Sequence, residues 1–221
     1  MKSFKREIIE TGDGSKTFYL PQLDETYHSH HGAYNESLHI FINNGLKPIN
    51  KSEVNIFEVG FGTGLNAILT LIHKGSKNIN YDGIELYPVH LSDLNQIDYK
   101  TIIASDYHHV FDKMHEKKWG MNEKIADAFN LRKIQADFTV YDYDKKYDLV
   151  YFDAFAPNKQ EEMWTLELLQ KLYNACNNGA VLVTYCVRGT VKRALKEVGF
   201  QIEKLPGPKG GKREMLRAFK R

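Results

Sequence analysis

Short apolar runs alternate along this chain with longer stretches whose apolar residues recur at helical spacing. The runs are 54–59, 79–85, 129–136, 147–152 and 180–185. Each has strand length, and all but 129–136 (FNLRKIQA), whose Phe129, Leu131 and Ile134 are interspersed with polar residues, are rich in β-branched, aromatic and aliphatic residues. Helical spacing marks 63–74, a stretch opened by Pro88, then 106–119, 161–176 and 188–198, the last ended by Gly199. Segments 200–204 and 214–219 pattern as an antiparallel pair around the loop PGPKGGK. Strands alternating with helices predict an α/β fold with a mostly parallel sheet, helices on both faces and one antiparallel edge. Ahead of it, 5–20 reads as a β-hairpin around the turn at Gly12 to Ser15, and 33–42 as a helix closed near Asn44-Gly45. Residues 1–46 are therefore expected to form a hairpin-and-helix appendage, and 47–221 the main domain.

Composition narrows the class. A chain of 221 residues with 42% hydrophobic content can bury one domain core. No apolar run approaches the roughly 20 residues of a membrane-spanning helix, and the opening MKSFKREIIETGDG lacks the apolar core of a secretory signal. Cys176 and Cys186 are the only cysteines, without a C-x-x-C or zinc framework, which suits a reducing cytoplasm. His28, His30 and His31 cluster, but no adjoining carboxylate or cysteine completes a ligand set, so they are expected to be loop histidines and no metal is expected. The net charge of +2 is uneven. Residues 204–221 hold seven Lys/Arg and one Glu, leaving −4 on the rest. Such a segment is either a phosphate-contacting edge or a solvated tail.

Candidate chemistry begins at 55–66, NIFEVGFGTGLN, where a strand runs into a glycine-rich turn and a helix. Glu58, Gly60, Gly62 and Gly64 stand at alternate positions, and with Asn66 at the end of the stretch they are the cofactor-binding candidates here. Glycines let a nucleoside cofactor approach the backbone where a Cβ would block it, and the helix start offers free N–H groups. The spacing departs from the G-x-G-x-x-G of dinucleotide sites. Its E-x-G-x-G-x-G form resembles motif I of class I S-adenosylmethionine-dependent methyltransferases. A nucleotide-sugar site, an NAD site and an ordinary loop are the alternatives.

In open α/β sheets ligands bind at the carboxyl ends of the strands. Three predicted strands end on an acid there: Glu85, Asp137 and Asp153. Glu85, about 20 residues past the glycines, can accept hydrogen bonds from two ribose hydroxyls. Asp137 can face an adenine amino group. Asp153 opens DAFAPNKQEEMW. There it either orients an amine nucleophile and takes its proton, or caps the next helix. In the first case Phe155, Pro157 and Trp164 would wall a planar base; in the second the aromatics are core.

FEVGFGTGLN, GIELYP, DAFAPNKQEEMW and GKREML occur in this order from Phe57 to Leu216. Together they resemble the methyltransferase domain of the tRNA 5-methylaminomethyl-2-thiouridine biosynthesis proteins, the MnmC type. The upstream segment with Gly32-Ala33-Tyr34-Asn35-Glu36 is a looser match. The resemblance implies a Rossmann-like class I methyltransferase fold. It further implies transfer of the S-adenosylmethionine methyl group to the exocyclic amine of 5-aminomethyl-2-thiouridine at the wobble position of the tRNA anticodon loop. By residue match, Asp153 takes the catalytic aspartate position, Gly60, Gly62 and Glu85 cofactor positions, and Arg213 and Glu214 the substrate mouth. Bifunctional members add an FAD-dependent domain; with no second glycine pattern here, no FAD is expected. Two rivals remain at this stage. One is an aminopropyltransferase of the spermidine synthase type, and the other a non-catalytic tRNA-binding subunit.

Overall fold

The structure is a computed structural model and describes residues 5–221. Residues 1–4, the start of the segment in which no secretory signal was expected, lie outside it. An eight-stranded sheet runs in the order β10-β11-β9-β8-β4-β5-β7-β6. Its strands are β4 (Glu53–Val59), β5 (Asn78–Glu85), β6 (Asn122–Ala126), β7 (Phe129–Gln135), β8 (Tyr147–Phe152), β9 (Cys176–Thr184), β10 (Gln201–Pro206) and β11 (Glu214–Phe219). β7, β5, β4, β8 and β9 are mutually parallel, while β6, β10 and β11 add antiparallel edges. The chain starts at central β4, fills one side through β5 and β7, then returns to the other side of β4 with β8. That reversal opens a crevice beyond the carboxyl ends of β4 and β8, the place where such sheets take ligands.

The side-chain period of two explains both faces. Along β4 and β8, Ile56, Leu149 and Tyr151 enter one core layer, while Phe57, Val59, Val150 and Phe152 enter the other. All six residues of β8 are buried, so apart from Asp148, which pairs with Lys51, this strand appears in sequence as an apolar run. The first layer is closed by α2 (Leu65–His73), by α4 (His108–Glu116) and by a helical segment formed by α1 (Ala33–Ser37) and its continuation to Leu46. The second is closed by α5 (Leu166–Ala175) and α6 (Gly189–Glu197). The short α3 (Leu91–Ile97) follows β5. Among the described residues no helix is long and apolar enough to cross a membrane.

A small antiparallel sheet precedes the main one. β1 (Glu7–Glu10) pairs with β2 (Lys16–Leu20), as the hairpin pattern predicts, and β2 also pairs with the two-residue β3 (Glu25–Thr26).

Several boundaries differ from expectation for identifiable reasons. The helix expected to close near Asn44-Gly45 continues through Leu38–Leu46 in wide π-type turns, with the Lys47 N–H donating to Ile42 O at 2.9 Å. Gly45 permits this. A Cβ there would lie 3.1 Å from Val183 and 3.3 Å from Tyr151, so its absence lets the backbone settle onto the sheet. β6 was missed altogether: only Ile125 of its five residues is buried, and a bulge breaks the pairing between Lys124 and Ala126. The helix expected over 161–176 is one tight turn at Glu161–Trp164, then α5, whose first turn is capped by Thr165 accepting from Leu168 N–H. Asn177-Asn178-Gly179, which follows that expected helix, belongs to β9, which begins at Cys176.

Candidate active site

Strand register brings the acids together. Val59 pairs with Ile84 on one side and Phe152 on the other, so Gly60, Glu85 and Asp153 emerge on the same edge of the sheet. Asp153 N–H donates to Val59 O at 3.0 Å, and the N–H groups of Gly60 and Phe61 both donate to Ile84 O. Gly60 adopts φ +87°, and a Cβ on it would stand 2.8 Å from the Asp153 carbonyl oxygen. Glycine is therefore required there both by backbone conformation and by the closeness of the two strand ends. Gly62, at φ +51°, carries the turn under the Tyr27 ring.

Beyond this edge lies a cavity of about 620 Å³, within the range of about 300–1,000 Å³ usual for small-molecule sites. Gly60, Gly62, Asn66, Glu85, Asp137, Asp153 and Phe155 line it. Glu85 sits in its wall with each carboxylate oxygen accepting one backbone N–H, from Gly62 at 3.1 Å and from Tyr87 at 2.9 Å. Each oxygen keeps a lone pair for a further donor. Burial pushes the Glu85 carboxyl up from its ordinary range, against those two bonds. Asp137 uses Oδ1 to accept from the N–H and hydroxyl of Thr139, at 2.8 and 2.7 Å.

Asp153 faces the cavity at the end of β8. Its Oδ2 accepts from Asn66 Nδ2 at 2.9 Å, and the same amide donates to Glu58 Oε1 at 2.9 Å. Burial, reinforced by the Glu36 carboxylate, pushes Asp153 up to about 7, while Asn66 and Lys212 pull it down. Glu58 is fully buried beneath the turn; burial raises its carboxyl well above the ordinary range. Its part is to hold Asn66, and through it Asp153, rather than to meet a ligand.

Some expected residues lie elsewhere. Gly64 is the left-handed residue at the start of α2, buried against His115 and Phe61. Trp164 turns inward onto Phe152, with ring centroids 4.5 Å apart, and donates its Nε1–H to Phe155 O at 2.8 Å. It braces the loop after β8 rather than lining the cavity. Pro157 is not among the lining residues either. Glu214 points away from the cavity and pairs with Lys204 at 2.8 Å, and Arg213 does not line it. Lys212 of the GKREML segment does not line the cavity either, but its Nζ lies 3.5 Å from the Tyr185 ring centroid and 3.8 Å from Glu36 Oε1, and its charge is felt at Asp153.

The small N-terminal sheet supplies a wall that residue patterning did not assign to the site. Leu20, Leu23, Tyr27 and His28 line the cavity. Tyr27 packs edge-on against Phe155 at 5.8 Å and its hydroxyl accepts from Arg6 Nε at 3.1 Å. Lys159 Nζ donates to Leu23 O at 2.7 Å, tying the loop after β8 to the hairpin. His28 lies against Thr63, and burial pushes it down to about 4, so it is neutral at pH 7. His30 and His31 are exposed, and among the described residues no group of three His, Cys, Asp or Glu is placed to hold a metal.

Glu85, Asp137, Asp153, Glu162 and Glu167 give the cavity five carboxyl groups against one lysine, Lys159. That imbalance, with glycines at the closest approach and apolar Ile84, Leu86 and Phe138 beside Asp137, fits a cationic nucleoside such as S-adenosylmethionine.

Comparison with known proteins gives concordant results. Residues 100–221 match the model of a family described as S-adenosyl-L-methionine-dependent methyltransferase. The tRNA 5-methylaminomethyl-2-thiouridine biosynthesis bifunctional protein MnmC of Pseudoalteromonas atlantica is 32% identical over 219 residues, covering 88% of this chain and 31% of that protein. Its counterpart in Campylobacter fetus is 30% identical over 221 residues, covering 96% and 35%. This chain thus spans about a third of the length of these curated relatives. Among solved structures, MnmC2 from Aquifex aeolicus superposes with a TM-score of 0.77 at 23% identity, over 99% of this chain and 71% of that one. Spermidine synthase from Thermotoga maritima gives 0.59 at 14% identity, over 100% and 70%. At these identities the structural likeness speaks for the fold.

Proposed function

The chain belongs to the S-adenosyl-L-methionine-dependent methyltransferases, and on that premise we propose that it methylates the exocyclic amine of 5-aminomethyl-2-thiouridine at the tRNA wobble position. The product is 5-methylaminomethyl-2-thiouridine. The carrying observation is Asp153: a carboxyl at the cavity wall, beside the glycine turn, pushed up to about 7. An alkylamine nucleophile is protonated at neutral pH and must lose a proton before it can attack. A carboxyl near 7 accepts that proton more readily than one at its ordinary 3.8.

Residues of the chain divide the remaining work. Glu85 offers its free lone pairs to the ribose hydroxyls, Asp137 offers Oδ2 to the adenine, and Gly60 and Gly62 leave room above the turn. S-adenosylmethionine, when bound, supplies a methyl carbon made electrophilic by its sulfonium. Asn66 fixes the Asp153 carboxylate, so that the amine is held where the proton leaves. Leu20, Leu23 and Tyr27 exclude water from above. Phe155 presents an aromatic face for the wobble base. That base lies in a loop, where extrusion costs less than from a paired stem. The relatives' printed name specifies biosynthesis of 5-methylaminomethyl-2-thiouridine in tRNA, which is the product of this reaction. The reading places the work in the cytoplasm, with tRNA, and assigns no flavin or metal step to these residues.

Mass spectrometry of tRNA nucleosides from cells with and without this protein tests the reading. Loss of the protein should convert the methylaminomethyl nucleoside into its aminomethyl precursor, one methylene lighter. Identical nucleoside profiles would contradict it.

A further inference from the structure

Outside the cavity, the strongest charge imbalance lies on α6, β10 and the loop that follows. Residues 188–213 hold eight Lys/Arg against two Glu, a net +6 that leaves −4 on the rest of the chain. Strand alternation sorts these charges further. On β10, Glu203 turns to the far face, where it pairs with Arg217 at 2.8 Å. Ile202 and Lys204 turn toward α6. Between the two elements lies a concave surface lined by Gly189, Lys192, Arg193, Lys196, Ile202 and Lys204, enclosing about 570 Å³.

These cations outnumber the carboxylates facing them, though Glu214 feels Lys192 as well as Lys204. Among the described residues, Lys192, Arg193 and Lys196 have no ion pair, and Lys204 alone has one, to Glu214. Lys192 and Lys196 stand four apart on one helix face, a spacing at which like charges weaken a helix. The core side of α6, Val191 and Leu195, would pack equally well with neutral neighbours. An arrangement that costs stability and presents separated cations along a groove fits an extended polyanion better than one small anion. Lys192 and Lys196 are separated by about 6 Å along the helix axis.

The face is continuous with the cavity mouth. β11 is antiparallel to both β9 and β10, so the Pro206 end of β10 lies at the same sheet edge as the Thr184 end of β9. Arg188, at the start of α6, donates to Asn158 Oδ1 at 2.8 Å and so joins the helix to the loop after β8. Lys212, at the other end, reaches Tyr185 and Glu36 beside Asp153.

We propose that the α6–β10 face seats the sugar-phosphate backbone of the RNA helix adjoining the loop whose base enters the cavity. This rests on the reading of RNA as substrate. The net negative remainder of the chain disfavours other approaches, so the face sets orientation as well as affinity.

The test uses the triple variant Lys192→Ala/Arg193→Ala/Lys196→Ala in the full chain, with an unmodified RNA anticodon stem-loop as probe. Fluorescence anisotropy is followed across salt concentrations. Each lost phosphate contact removes about 0.7–0.9 from the slope of log K against log salt. The triple variant should therefore lose about 2–3 of that slope and bind at least about tenfold more weakly at low salt, with S-adenosylmethionine affinity by calorimetry unchanged as the check on folding. An unchanged slope overturns the proposal. So does an equal loss from Lys117→Ala/Lys118→Ala/Lys124→Ala at the opposite sheet edge, because net charge alone would then explain the effect. Binding to phosphatidylserine vesicles with none to RNA overturns it as well. The stem-loop measurement needs no methyl transfer. A slope loss without transfer to any tRNA would sink the functional reading and leave the face standing; transfer with an unaltered slope would do the reverse.

Discussion

Asp153→Asn should slow methyl transfer by about 10²- to 10⁴-fold, the range of general acid–base contributions, while cofactor affinity stays within a few-fold. The amide preserves shape and can still accept from Asn66 Nδ2, but it cannot take a proton from the substrate. Single-turnover rates at saturating cofactor measure the first quantity and calorimetry the second. The wild-type rate should also show an acid limb near pH 7, because Asp153 works only when ionised and its carboxyl lies at about 7. A stability measurement checks the buried carboxyl independently of catalysis. The folded-state value is raised above that of the unfolded chain, so ionising Asp153 costs stability at pH above its folded value and costs little near pH 4. The Asn variant should therefore be more stable than wild type at pH 8, with the gain fading as pH falls. Full activity in the variant would leave Asp153 only a structural partner of Asn66, since the helical turns that follow it have Gln160 and Thr165 at their N-cap positions.

Glu85→Ala should weaken S-adenosylmethionine binding by about 100-fold or more. Two ribose hydroxyls donating to a carboxylate contribute about 1.5–3 kcal/mol each, and the enclosed site keeps water from compensating. Glu85 also accepts from the Gly62 and Tyr87 N–H groups, so the variant loosens the glycine turn as well. Glu85→Gln separates the two effects: its amide oxygen can keep one of those backbone bonds while the ionised acceptor is lost, and an intermediate loss is expected. Unchanged affinity in the Ala variant would make Glu85 only a brace for the turn.

The central sheet was legible because parallel strands buried on both faces appear as largely apolar runs; YDLVYF, apolar but for Asp148, is one, and β8 matches it residue for residue. β6 lies at an edge with one buried residue, so its sequence carries no such run. The π-type turns to Leu46 depend on Gly45 meeting Val183 and Tyr151, residues more than a hundred positions away. The site divides along the same line. Glu85, Asp137 and Asp153 were visible because each ends a recognisable strand, and register alone then aligns them. The hairpin wall of Leu20, Leu23 and Tyr27 was not, because it arises where one small sheet folds over another. Trp164 was assigned to the cavity from its place in DAFAPNKQEEMW, yet the tight turn at Glu161–Trp164 rotates it onto Phe152. Lys212 acts on Asp153 only through its charge, from its place on Tyr185 and Glu36, while β11 starts at Glu214 and commits that side chain to Lys204 across the edge pair.

The central claim is that this cavity delivers a methyl group to an alkylamine on a tRNA wobble base. Its most direct measurement incubates the purified protein with methyl-labelled S-adenosylmethionine and tRNA bearing 5-aminomethyl-2-thiouridine, followed by nucleoside digestion. Label is expected in 5-methylaminomethyl-2-thiouridine, dependent on Asp153. Absence of label at the wobble base, or turnover instead of decarboxylated S-adenosylmethionine with a polyamine, would contradict it.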